Sequence, residues 1–585
     1  MKKIFTLFVV LSATVSLMAQ HGAMNFIGNG DFYVSNMKET TLTTNVKDTI
    51  VVEMTENNTS NITLPQMIYN GNLTVNPFTI KGATWAMDMA TFVSTWAEQS
   101  FTTTTIGTDG FEKNVSGTLS AAYIHSTGAF QISVTFSYGS MPMPVTYEST
   151  GYYTVNNAWN LVGRGTAANP YKIFNADDFA ALAENFSDTN DGSNEYFVMM
   201  NDIDFGGSAE NFVPLPAIGK KYIKNVNTVS AGFNGNFDGQ EHSISGIYHN
   251  RFENNDEGKF NALFSSIDTA GVVKNLVFSA NNFVKSYNYI APFASVSRGA
   301  IENCVNYANI EATNTAAAGI LGSFIGGKGS IINCINNGNI SSMTYAAGIV
   351  GFCQSGASVS STADGYHSLI DHCTNNGNIS TTNGLGAAGI AGAFSGSIRN
   401  ATNNGAVDDS NGTLKTKQYT SGIVSSATYL VALDSCTNNG AISGGRNVAG
   451  ILAYVLKGDD SNFTVTNCVN RGTITADSIV GGVAGNSARV AGVITLDACE
   501  NYGVVTASGN ADLSGNLRGN ANIAINSNCK IGSDLAKLAL DPENLTGINK
   551  LIINDNTSGS AYDLWGRRYN GKGLLIRNGK AVLVK

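Results

Sequence analysis

The chain has 585 residues, 43% of them hydrophobic and 13% charged, with a net charge of −9. That length exceeds a single compact core and implies about two to four domains, while the apolar fraction excludes a disordered chain. The acidic balance, with no cluster of Lys and Arg to follow a phosphate backbone, excludes nucleic acid as a partner.

The chain opens with MKKIFTLFVVLSATVSLMAQ. Lys2 and Lys3 form a positive start, an apolar run begins at Ile4, and Ala19 precedes an expected cut, so residues 1–19 read as a secretory signal peptide. Ser12, Thr14 and Ser16 interrupt the run, which argues against a membrane anchor. No cysteine lies near the cut to carry a lipid, and no later stretch is long and apolar enough to span a bilayer. The expected mature chain is exported and has no transmembrane segment.

Residues 24–155 contain TIVVEM, GNLTVNPFTI, GTLSAAYI and FQISVTFSY. These alternate as antiparallel strands with one dry face do. The stretches at 48–54, 69–81 and from Gly117 through MPMPVTYESTG resemble the calycin-like domain at the N-terminus of exported Bacteroidota proteins. That resemblance implies a small β-barrel with room for a ligand. Trp85 and Trp96 are expected to fill its core ahead of lining a cavity.

Residues 160–530 form the next region. Within it, residues 175–185 have helical spacing, with Phe179, Leu182, Ala183 and Phe186 on one face. A short helix there would cover the open end of the repeats that follow, whose exposed edge otherwise leaves strand groups unpaired.

The repeats themselves return to one octet. It reads CINNGNIS from Cys334, CTNNGNIS from Cys373 and CTNNGAIS from Cys436, with variants from Cys304, Ala401, Cys468 and Cys499. Successive starts differ by 30, 39, 28, 35, 32 and 31 residues. A second motif, such as AGILG from Ala318 or AGIVG from Ala347, precedes most copies. A period near thirty, without helical spacing and with short β-branched segments bounded by Gly and Asn, predicts a right-handed parallel β-helix. The unit reads as an apolar strand, a loop, a strand ending in the cysteine, an Asn-Gly turn and a short third strand. The fold class is therefore all-β.

In such a coil each position stacks on itself. Ile340, Ile379 and Ile442 are expected to point inward. Gly338, Gly377, Gly405, Gly440 and Gly472 are expected to supply turn angles that a Cβ would oppose. Asn336, Asn375, Asn403, Asn438, Asn470 and Asn501 are expected to hydrogen-bond along a column. Cys304, Cys334, Cys373, Cys436, Cys468 and Cys499 are expected to be buried thiols, because parallel in-register side chains suit a disulfide torsion poorly and Ala401 fills the same slot.

The order GRGTAANPY, a helix, NDIDF, FDGQEHSISGI and NALFSSIDTAGVVKNLVF resembles bacterial surface β-helix proteins with GLUG-type repeats, over residues 160–530. The GLUG spelling itself is replaced, with ALFSS where Gly-Leu-Phe-Gly is expected. The resemblance implies a surface or adhesive scaffold and carries no catalytic residues. The tail at 545–585, with AYDLWGRR and GLLIRNGKAVLVK, is similar to C-terminal tails related to type IX secretion sorting signals. Such a signal is an address read by a receptor.

Chemistry is sparse. A glycan-active β-helix needs converging acids or a base beside bound calcium. The acid pairs are Asp177–Asp178 on the predicted helix, Asp202 and Asp204, Asp408–Asp409 and Asp459–Asp460, the last two pairs read as solvated loops. Of the histidines, His372 is expected to point outward, and His242 and His249 lack a metal-ligand spacing. No catalytic residue, metal or cofactor is assigned. The expected function is a non-catalytic exported scaffold that binds an extracellular glycan, a matrix component or a host or bacterial surface protein through loops at 354–368 and 408–419. The alternatives are a polysaccharide lyase or hydrolase and a plain spacer, and the oligomeric state is left open.

Overall fold

The computed structural model describes residues 23–38, 48–153, 157–219, 232–255, 258–325, 329–354, 368–411, 418–456, 463–487, 494–507, 514–515, 517–519, 522–532, 573–577 and 580–584. The signal peptide, most of the tail, Asp459–Asp460, most of the expected specificity loop at 354–368 and half of that at 408–419 lie outside these residues.

Alternation builds the first part. In Ala129–Tyr138 and Val145–Tyr153 nearly every second side chain is buried. These strands join a ten-stranded antiparallel sheet, nine strands of which run Phe78–Thr84, Thr59–Leu64, Asp48–Thr55, Met24–Val34, Val145–Tyr153, Ala129–Tyr138, Glu112–Ile124, Val93–Ile106, Ala86–Asp88, with Met37–Lys38 paired beside Met24–Val34. The sheet curls until its far strands nearly meet: Thr103 Oγ1 donates to Thr79 O (2.9 Å) and Asn76 Nδ2 to Ile106 O (2.8 Å). Side chains fill the interior, as in other small barrels. Phe26 stacks on Phe130 at 4.6 Å, Trp96 meets Phe130 edge-on at 5.3 Å, and the Trp96 indole donates to Ser60 Oγ (2.8 Å). Trp96 is thus a core residue; Trp85, half-buried, packs beside it.

The helix Ala176–Asn185 follows. Asn175 Oδ1 accepts from Asp178 N (3.0 Å) while Asp178 Oδ2 accepts from Phe174 N (2.9 Å), so each side chain satisfies a backbone donor at the helix start. Its buried face, Phe179, Leu182 and Ala183, packs on the first coil of the solenoid through Phe179 and Phe237 (5.5 Å).

Three parallel sheets of 18, 11 and 13 strands then form the β-helix, with strand order largely following the chain. The middle sheet stacks two-residue strands in strict register, Asn306 on Asn336, then Asn375, Asn403, Asn438, Asn470 and Asn501. The third sheet stacks His249, Val284, Ile310, Ile340, Ile379, Val407, Ile442 and Ile474 in one buried column. By itself, the C-terminal unit pairs Gly573–Arg577 antiparallel with Lys580–Val584.

Two details of the repeat differ from the sequence reading. The strand before each cysteine stops two residues short of it, and the intervening residue takes the left-handed conformation. Asn303, Asn333, His372, Asn400, Ser435, Asn467 and Ala498 have φ between 49° and 55°. The corner therefore turns at this residue, where Asn is tolerated best after Gly. The ladder glycines, by contrast, have no positive φ. A Cβ on Gly338 would run into Ala308 O, one on Gly377 into Gly338 O, and the same clash recurs at Gly405, Gly440 and Gly472. Glycine is required there by the close approach of successive coils, not by the turn angle.

Candidate functional site

Inside the coil the asparagine column is continuous. Each Nδ2 donates twice, to the next asparagine's Oδ1 and to the carbonyl two residues on. Asn336 bonds Asn375 Oδ1 (2.7 Å) and Gly338 O (2.8 Å), and Asn375 bonds Asn403 Oδ1 (2.7 Å) and Gly377 O (2.8 Å). A second, exposed ladder runs beside it, through Asn376 to Asn337, Asn404 to Asn376 and Asn439 to Asn404 (2.8 Å each). All eight cysteines are free, and Cys304, Cys334, Cys373, Cys436, Cys468 and Cys499 are fully buried beside Ala401. Burial pushes the Cys334, Cys373 and Cys468 thiols well up, which suits packing and opposes thiolate chemistry. The inner asparagine and cysteine columns hold the coils together and, being fully buried, offer no group to a ligand.

The acids do not gather around one point of the coil. Asp177 lies in the first turn of the cap helix, and Asp178 caps it. Asp202 Oδ1 accepts from Ser243 N (2.7 Å) with His242 Nδ1 at 3.4 Å, and Asp204 Oδ1 closes a turn onto Gly206 N (2.9 Å). Asp408 is exposed and binds Ser410. Asp409 corrects the sequence reading: it is not in a solvated loop but fully buried, accepting from Thr381 Oγ1 (2.6 Å) and Thr420 Oγ1 (3.4 Å). Desolvation raises its pKa to about 6 against those hydrogen bonds. Among the described residues no three His, Cys, Asp or Glu side chains come together as a metal would need.

The histidines are equally dispersed. His372 is exposed at its corner. His249 is buried at the head of the aliphatic column, where Nδ1 accepts from Leu215 N (3.3 Å) and Nε2 has no partner.

Aromatics on the flank of the first coils are exposed, Phe212, Phe252 and Phe283 each by more than two fifths. Their ring faces are already engaged. Tyr248 and Phe283 stack at 4.7 Å, Arg251 lies over Phe212 (5.0 Å) and Lys285 over Phe252 (5.7 Å).

The concavity lies elsewhere, where the outer face of the barrel meets the first coil. Asn29 of the barrel hydrogen-bonds the Met200 carbonyl (3.2 Å) and the Asn201 amide, which closes one end of a cleft. Strand register lays a transverse row across its floor: Asn29, Thr150, Gln131, Ala122 and Thr95 sit side by side on five strands. The neighbouring row is Asp31, Glu148, Ser133 and Ser120. The larger chamber, about 730 Å³, carries Asp31, Glu98 and Glu148 and, among the described residues, no cation. Asp31 is held by Lys38 (2.7 Å), and Glu148 accepts from Ser133 Oγ (3.3 Å).

A smaller chamber of about 320 Å³ adjoins it; Gln131, Thr150, Tyr152 and Met200 line both. Its one charged lining residue among those described is Lys172, 3% exposed, on the solenoid strand Tyr171–Ile173. Lys172 Nζ donates to Asn169 Oδ1 (2.9 Å) and Pro170 O (3.0 Å) and lies 3.8 Å from the centre of the Tyr152 ring. Burial lowers its pKa to about 8. Sequence reasoning missed this site because its floor is the polar face of the barrel strands, which looks like ordinary solvent-facing alternation. The signal available was Lys172 itself, a lysine inside the apolar run YKIF.

No family model matches the chain, and the search of curated proteins finds no match. Two solved structures are similar. One is a protein of Bacteroides fragilis provisionally named an outer membrane protein, 18% identical with a TM-score of 0.19; the match covers 24% of this chain and 52%, about half, of that one. The other, from Bacteroides ovatus, is provisionally named an immunoglobulin A1 protease, 16% identical with a TM-score of 0.30, covering 65% of this chain and 88% of that one.

Proposed function

We propose that the protein is an exported, non-catalytic binding scaffold, and that its ligand is an extracellular glycan held in the cleft between barrel and solenoid. The observation that carries this reading is the floor of the cleft. Amide and hydroxyl side chains of Asn29, Thr150, Gln131 and Thr95 stand in register across five strands, beside half-buried Tyr152. Ligand sites favour domain boundaries, and a few convergent polar groups set their specificity. A polyol with hydroxyls at regular spacing matches such a row, and the adjacent carboxylates of Glu98 and Glu148 add strong acceptors for sugar hydroxyls.

The solenoid then acts as the rigid arm that presents the site. Its GLUG-like repeats and sorting-type tail fit export to the cell surface or beyond it. A glycan array together with a panel of matrix proteins, probed with the purified mature chain, tests the reading. Retention of glycans supports it; retention of matrix proteins alone, or of nothing, rejects it.

A further inference from the structure

The two chambers of the cleft differ in charge. Among the described residues, three carboxylates face the larger one, whereas Lys172 alone is charged in the smaller one. Lys172 is also the only lysine or arginine among the buried polar residues described. A buried ammonium normally sits against a carboxylate, because an unpaired charge in a low-dielectric site is costly. Here its two hydrogen bonds go to neutral oxygens, of Asn169 and Pro170, with the Tyr152 ring 3.8 Å away, which leaves one of the ammonium's three N–H groups without an oxygen acceptor. Among the described residues no counter-charge pairs with this ammonium, at the end of a cleft whose other described walls are acidic or neutral.

We propose that the smaller chamber is an oxyanion subsite, in which Lys172 receives the carboxylate or sulfate of one charged sugar while the neutral remainder of the glycan lies along the larger chamber. This rests on the reading of the cleft as a glycan site and names the ligand within it. A polyanion is excluded by the same geometry, since its next charges would lie against Asp31, Glu98 and Glu148. Tyr152 gives the subsite its orientation: it lines both chambers and contacts the ammonium. Thr150 and Gln131, which line both chambers beside it, supply hydrogen bonds at the crossing point.

The test is calorimetric titration of the mature chain with four probes: a neutral tetrasaccharide, the same chain ending in glucuronate, the same chain ending in a sulfated sugar, and a polyuronate of equal length. The proposal expects one or both singly charged probes to bind about tenfold or more tightly than the neutral one, and the polyuronate to bind more weakly than either. The carboxylate and sulfate arms identify which oxyanion is used. Lys172→Met, which keeps the stem's volume against Tyr152, should erase the preference, bringing the charged probes to the affinity of the neutral one. Lys172→Arg should keep part of the preference. Equal affinity for neutral and singly charged probes overturns the oxyanion subsite and leaves the glycan cleft standing. Binding of none of the four overturns both. If Lys172→Met lowers stability as well, the comparison of probes on the unaltered chain still decides.

Discussion

Asn336 Nδ2 donates to Asn375 Oδ1 across 2.7 Å, although 39 residues of chain separate them. Both side chains are fully buried, and the same bond recurs from Asn306 to Asn501. The column turns a row of buried polar groups into one satisfied network, which is why the repeat keeps asparagine where its steps range from 28 to 39 residues.

Breaking that column should be costly. Asn375→Leu removes the donations to Gly377 O and Asn403 Oδ1 and strands the Asn336 amide. The expected loss is about 2–4 kcal/mol, because orphaned buried groups forfeit their solvation. Asn376→Ala, in the exposed ladder, should cost less than about 1 kcal/mol. Urea denaturation of both variants checks the contrast, and equal losses would mean that burial is not what gives the inner column its value.

The corner and the glycine ladder make opposite demands. Gly377→Ala should destabilise by about 1–3 kcal/mol, since its Cβ meets the Gly338 carbonyl and the coils must part. Ala498→Gly should be neutral or stabilise by up to about 1 kcal/mol, because Ala498 holds φ at 49°. Melting temperatures of the pair decide. A destabilised Ala498→Gly beside an unaffected Gly377→Ala would return the positive φ to the wrong residue.

Much of this was legible in the residues. The period, the stacked Ile and Asn positions and the cap helix all follow from spacing, because a coil enforces one environment per position. The corner did not show, because its left-handed residue is Asn, His, Ser or Ala in different copies. Asp409 was hidden for another reason: DDSNG has the composition of an open loop, yet Thr381 of the preceding coil bonds the second acid from within. The cleft was invisible because it joins the polar face of one fold to the end strand of another, 20 residues and a change of architecture further on at Lys172.

Acid and base should act on different residues. Burial, with Arg251 adding to it, lowers the His249 pKa to about 3 from an ordinary 6.5. The folded chain then binds fewer protons than the unfolded chain between those values, so stability falls as pH drops from 6.5 towards 3. Asp409 and Asp48 go the other way: burial raises each to about 6, so the folded chain holds their protons longer and stability falls as pH rises from 3.8 through 6. Denaturation curves from pH 4 to 8 should show His249→Leu losing less stability as pH falls below 6.5, and Asp409→Asn losing less stability as pH rises towards 6. Unchanged limbs in both variants would show that neither group is buried as described.

Incubation with a broad polysaccharide panel should yield neither new reducing ends nor unsaturated uronates. Turnover abolished by Asp202→Asn with Asp204→Asn, or by Asp408→Asn with Asp409→Asn, would replace the scaffold with an enzyme at that place on the coil.

A glycan held in the cleft would cross at Thr150, which lines both of its chambers. Thr150→Trp keeps a strand-compatible residue while filling the crossing point. The direct measurement is a glycan array probed with the mature chain and with this variant, both shown to melt at the same temperature. A defined set of glycans should be retained by the unaltered chain and lost by the variant. An empty array, or the same glycans retained by both, would contradict it.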